Sequence, residues 1–260
     1  MDTGRIFSFR EQDDVERPFL DHLADLRVML IRMACVMVAA MTGSFFFRGF
    51  LASLLQRPLV AVDPVRANSL QSLGVADSMT ISLELSFYAG VILSFPILMA
   101  LLAHFLFPAL RPSEKRILLP VSAFGLVLFL GGILFAYLVV LPGTLDFFFK
   151  DAKSMHWTPT WTVREYYSFT TQFLVAFGLA FEMPIVVLAL VRLGLLNAAK
   201  LRGARSVAIV SIFTAAAFIA PSPDLLTYFL MAGPMVVLYE VCIWIARWVE
   251  PKGEACGIGG

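Results

Sequence analysis

Few side chains in this sequence combine reactive chemistry with an unusual position. The oddest is Glu182, within FGLAFEMPIVVLAL, residues 177–190, where every other residue is apolar, glycine or proline. A charged group inside a membrane-length apolar run costs at least about 2–3 kcal/mol on insertion scales. Glu182 is therefore expected to face a cavity or a partner helix, the alternative being a protonated carboxyl hydrogen-bonded to a neighbouring helix. Gly178 lies one turn before it on the same face, and Pro184 loosens the backbone just behind it. Asp25 lies in RPFLDHLADLRVMLIR, residues 17–32, where Phe19, Leu23, Leu26 and Leu30 form one helical face and Asp21 and Asp25 lie on the other. That segment is either an interfacial lead-in helix with a solvated acidic face or a docking surface for a cationic partner. Glu114, in FPALRPSEKR, residues 107–116, sits among Arg111, Lys115 and Arg116 and reads as a surface carboxylate paired with them. Glu84 and Glu240 fall nearer the ends of apolar runs and are expected at the interface.

Other chemistries lack their parts. There is no G-x-x-x-x-G-K-[ST] for a nucleotide, no H-E-x-x-H for zinc and no G-x-S-x-G nucleophile elbow. His22, His104 and His156 lie in separate regions, and Cys35, Cys242 and Cys256 have no metal-ligand spacing. Cys35 and Cys242 are expected to be small packing residues. No catalytic residue, metal or cofactor is expected, and the chain is not expected to be an enzyme. A net charge of +1 gives no basis for a nucleic-acid partner.

The elements that must hold these residues are membrane spans. The 260 residues are 59% hydrophobic and 15% charged, with a mean hydropathy of +0.83, whereas soluble domains are about 25% charged. Stretches of about 20 apolar residues, enough to cross a bilayer, recur along the chain. The fold class is an all-α polytopic membrane protein. Six spans are drawn at 28–47, 80–107, 117–141, 166–191, 206–220 and 225–246, with an N-terminal amphipathic segment over 1–27 and a tail over 247–260. The first 25 residues lack the early apolar core of a secretory signal peptide. The fifth span is short, and Pro221–Asp224 forms a hairpin turn before the sixth. Of the 20 Lys and Arg, 14 fall on the side of the termini and 6 on the other, which puts both termini in the cytoplasm. The regions 48–79 and 142–165 are then outer loops. Trp157, Trp161, Tyr166 and Tyr167, at or just beyond the second loop, are expected as interfacial anchors.

Five stretches in this order resemble TatC, the multispanning subunit of the twin-arginine protein translocase. They are FLDHLADLR, SFP…FLFPALRPSEKR, FAYLVVLP at the close of span three, FGLAFEMPIVV, and PSPDLLTYFLMAGPMVVLYE. The resemblance covers nearly the whole chain. It implies a receptor subunit in the plasma (inner) membrane that binds twin-arginine signal peptides and exports folded proteins using the proton motive force. It implies that Asp25 and Glu114 meet the arginine pair, with Phe105 and Pro108 beside them. Glu182 matches the family's membrane-embedded glutamate, on a concave face where signal peptide and partners gather, and Asp224 its outer-turn aspartate. The partners implied are single-span TatA- and TatB-type subunits in a hetero-oligomer of several copies. Three positions depart from the family pattern: Asp25 stands where glutamate is usual, Arg-Pro-Ser precedes Glu114, and the last turn reads Pro-Ser-Pro-Asp. A proton-coupled secondary transporter of a small solute is the alternative, and it would prefer an inverted repeat, which the sequence lacks.

Overall fold

The computed structural model describes residues 19–63, 70–106, 112–158, 160–192, 196–219 and 225–249, with side-chain detail in α4 only from Ser122. Among these residues the chain is helical apart from turns and one isolated bridge. The helices are α1 (Phe19–Phe46), α2 (Arg48–Val62), α3 (Asp77–Leu106), α4 (Pro112–Phe135), α5 (Leu141–Ser154), α6 (Val163–Ala180), α7 (Met183–Arg192), α8 (Ala198–Gly203), α9 (Arg205–Ile219) and α10 (Leu225–Val249). A π-helical segment, Ala136–Val140, joins α4 to α5. In hydrocarbon each backbone N–H and C=O must bond within its own segment, so apolar runs of this length fold as helices. Five stretches are long and apolar enough to cross a membrane: Leu23–Phe46, Asp77–Phe105, Ser122–Ser154, Val163–Val191 and Thr227–Arg247. Arg205–Phe218 is a shorter apolar helix. This is a polytopic membrane protein.

Several expectations need correction. From Phe19 the lead-in segment is continuous with the first span, because α1 runs unbroken from Phe19 to Phe46. The region after α1 is not loop throughout: α2 occupies its first half. Span three does not close at 141. Pro142 cannot donate a backbone N–H, yet it sits in the first turn of α5, where the missing donor is tolerated. The register is absorbed by the π turn, in which the Leu141 N–H donates to the Ala136 carbonyl. The helix therefore continues to Ser154, and the expected second loop is largely helical.

Tyr166 and Tyr167 are core residues and not interfacial anchors, at 3% and 6% exposure. Their hydroxyls donate to the Leu55 and Ala52 carbonyls of α2, at 2.6 and 3.2 Å. Trp161 stacks on Phe149 with ring centroids 4.4 Å apart, and Trp157 remains exposed. Cys242 is fully buried as expected, whereas Cys35 lies on the exposed surface of α1.

Two sets of helix contacts share one continuous core. In the first, α1 lies along α3, and α3 and α4 both pack on α6. In the second, α10 packs on α7, α8 and α9. A hypothetical Cβ on Gly90 of α3 would come 2.8 Å from the Met41 backbone nitrogen, so the α1–α3 contact is close because that position is glycine. On the far side, residue 71 and residues 161–163 cross-link the approaches to α3 and α6. The Val163 N–H donates to the Gln71 carbonyl at 2.9 Å, and the Gln71 N–H donates to the Trp161 carbonyl at 3.3 Å. Thr162 and Glu165 then close a capping box that starts α6.

Candidate functional site

Glu182 sits where the fourth span breaks. Pro184 has no N–H to give the Ala180 carbonyl and its ring crowds that position, so a regular helix cannot run through. The chain ends α6 at Ala180, turns at Phe181–Glu182 and restarts at Met183. Within the turn the Glu182 N–H donates to the Leu179 carbonyl at 3.1 Å, while the Glu182 carbonyl accepts from the Ile185 and Val186 N–H groups at 3.0 and 3.2 Å. Backbone bonding is thus largely preserved while the helix axis is interrupted.

The side chain is partly buried and turned toward α4. A Cβ on Gly125 would stand 3.1 Å from Glu182 Oε2, 3.0 Å from Ile185 Cδ1 and 3.4 Å from Met99 Cε. Glu182 Oε1 is shielded from solvent and has no hydrogen-bond partner among the described residues. A buried acceptor left unmade costs about 1–3 kcal/mol, more for a charged group. Gly178, one turn earlier, is filled against by Phe129 and Ile133 of α4, and Gly132 by Phe181 and the Phe177 carbonyl. These two glycines bring α4 and α6 into close contact. Glu182 is therefore held at a tight helix–helix seam and not exposed to lipid on all sides.

A second polar group lies between α3 and α6. Ser168 Oγ donates to Glu84 Oε1 at 2.6 Å, and Gln172 Nε2 donates to Ser168 Oγ at 3.1 Å. Glu84 is thus a partly buried, bonded carboxylate eight residues into α3. Ser168 and Gln172 are four residues apart on one helix, a spacing that could have pointed to a shared partner. Glu240 pairs with Arg205 at 2.7 Å, tying α10 to α9.

Asp25 is exposed on α1. As successive spans α1 and α3 run antiparallel, and the Gly90–Met41 approach fixes their register. Sixteen residues back from Met41 is Asp25, and sixteen beyond Gly90 is Leu106. Asp25 is accordingly level with Leu106, the last residue of α3 and the neighbour of Phe105. Glu114 is in the first turn of α4, the next helix to start from that end, with its side chain outside the described residues. Pro108 and Asp224 also lie outside them. Glu182 is ten residues from the end of α7, about 15 Å along a helix, so it forms a separate site. No cluster that could hold a metal occurs among the described residues.

The profile of the family described as "Sec-independent protein translocase protein (TatC)" matches residues 21–234. A protein of that name from Akkermansia muciniphila is 42% identical over 179 residues, which is 69% of this chain and 51% of that protein. The chain thus spans about half the length of that relative. The Campylobacter jejuni protein of that name is 35% identical over 231 residues, 88% of this chain and 94% of the relative. A crystal structure described as the twin arginine translocase receptor TatC superposes with a TM-score of 0.80 at 33% identity, covering 88% of this chain and 99% of that one.

Proposed function

The chain belongs to the TatC family, and from that premise we propose that it is the receptor core of a twin-arginine translocase. On this reading it crosses the plasma membrane six times with both termini in the cytoplasm. It binds twin-arginine signal peptides and passes folded proteins outward at the expense of the proton motive force. Asp25 and Glu114 meet the arginine pair, flanked by Phe105 and Pro108. A guanidinium is a planar fork that bonds a carboxylate through two parallel N–H groups, which a lysine ammonium cannot do. Glu182 takes a hydrogen bond from the signal peptide or from a TatA- or TatB-type helix, and Asp224 serves the outer turn between the last two spans.

The observation that carries the reading is the α1–α3 register, which sets Asp25 level with Leu106, next to Phe105, at the end from which α4 starts with Glu114 in its first turn. The charge bias toward that end supports its cytoplasmic placement. The experiment is cross-linking of a twin-arginine signal peptide to the full protein in membranes. The Asp25→Ala, Glu114→Ala pair should abolish the cross-link, Asp25→Glu should keep it, and a twin-lysine peptide should bind native protein poorly. An undiminished cross-link in the double variant would rule this site out.

A further inference from the structure

Resting on the reading that Glu182 serves export, we infer that Gly125 is a positioning residue for the Glu182 carboxylate. By carrying no side chain, Gly125 leaves a seat on α4 in which Oε2 rests, and Oε1 is left to accept from an incoming donor. The seat is shallow. A methyl at position 125 would come 3.1 Å from Oε2 and 3.0 Å from Ile185 Cδ1, and 3.4 Å from Met99 Cε. The first two contacts are tighter than ordinary van der Waals packing, so a neighbour must yield. Ile185 and Met99 are apolar and supply no hydrogen bond in return. The carboxylate is therefore placed by shape. Its Oε1 is shielded yet unpartnered among the described residues, as expected of an acceptor whose donor arrives from another chain. The Phe181–Glu182 turn fixes where the side chain starts, and the room beside Gly125 sets where it ends. A valine at 125 would put γ-carbons where the carboxylate lies and push it off α4.

The test uses the full protein in native membranes. Dicyclohexylcarbodiimide labelling at residue 182 is read by peptide mass for native protein, Gly125→Ala and Gly125→Val, with Glu182→Gln as the blank. Export of a folded twin-arginine cargo is scored at matched membrane levels. Gly125→Val should raise labelling several-fold and lower export by on the order of tenfold. Gly125→Ala should shift both in the same direction by less, and it carries the test if the valine variant does not accumulate. Trimming the other neighbour, Ile185→Val, should restore neither readout. Unchanged labelling in both variants overturns the inference. So does recovery of labelling and export by Ile185→Val, which would make Gly125 a packing residue. Full export by Glu182→Ala would instead sink the underlying role of Glu182, whatever the labelling shows.

Discussion

Tyr137 donates where Pro58 cannot. Pro58 lies inside α2 and has no N–H, so the Leu54 carbonyl one turn back loses its helical donor. The Tyr137 hydroxyl, from the π segment, donates to that carbonyl at 2.8 Å. Removing it strands a partly buried acceptor, which costs about 1–3 kcal/mol. Tyr137→Phe should therefore lower the detergent melting temperature. In a Pro58→Ala background, where the helix regains its own donor, the same change should cost much less. Equal losses in the two backgrounds would refute the compensation. Nothing in the sequence announces this pair, since the partners are 83 positions apart and a tyrosine near an apolar run resembles an interfacial anchor. Glu182 was legible for the opposite reason: a carboxylate in hydrocarbon is costly wherever the chain goes. Its seat was not legible, because Gly125 acquires meaning only once α4 lies beside the turn.

Among the elements, the α1–α3 contact rests on one glycine. The atoms nearest a new Cβ at Gly90 are the Met41 backbone nitrogen and Cα, at 2.8 and 2.9 Å, and backbone cannot rotate aside. Gly90→Ala should push α1 outward and destabilise the pair by about 1–3 kcal/mol, as overpacking does. Because the same contact sets Asp25 level with Leu106, next to Phe105, signal-peptide cross-linking should weaken in parallel with stability. A Gly90→Ala protein with native melting temperature and native cross-linking would contradict that dependence. Five of the six expected spans were readable from apolar run length, which the bilayer imposes; the run over 206–220 is an apolar helix of shorter length. Element ends were not. The third apolar run reads as closing at 141, before Pro142, yet the π turn ahead of the proline lets the helix continue. Helix α2 is hard to read in the sequence because it is only 15 residues long, is broken by Gln56–Arg57 and contains Pro58.

For the whole molecule, the 14-to-6 distribution of Lys and Arg predicts cytoplasmic termini. A reporter fused after Gly260 that works only outside the cytoplasm should be silent, and a reporter that works only inside should be active. The opposite pattern would reverse the topology. Within that frame α9, with 15 residues, extends about 22 Å against a hydrocarbon layer of about 30 Å, so the bilayer must thin beside it or neighbours must cover it. The fourth span has another role at this scale. Its first part, α6, packs chiefly on α3 and α4, while its second part, α7, packs chiefly on α10 and also meets α4 at Gly125. One continuous rod would make those two groups a single lever. The two-residue interruption at Phe181–Glu182 gives the span a joint, still bonded through its backbone. A tug on α10 from a helix docked against it would be felt as rotation at that joint, and the side chain carried on the joint is the carboxylate of Glu182. Engagement at the periphery of the bundle would thus be converted into the aim of one acceptor at its centre, much as a knuckle turns the pull of a tendon into the pointing of a finger.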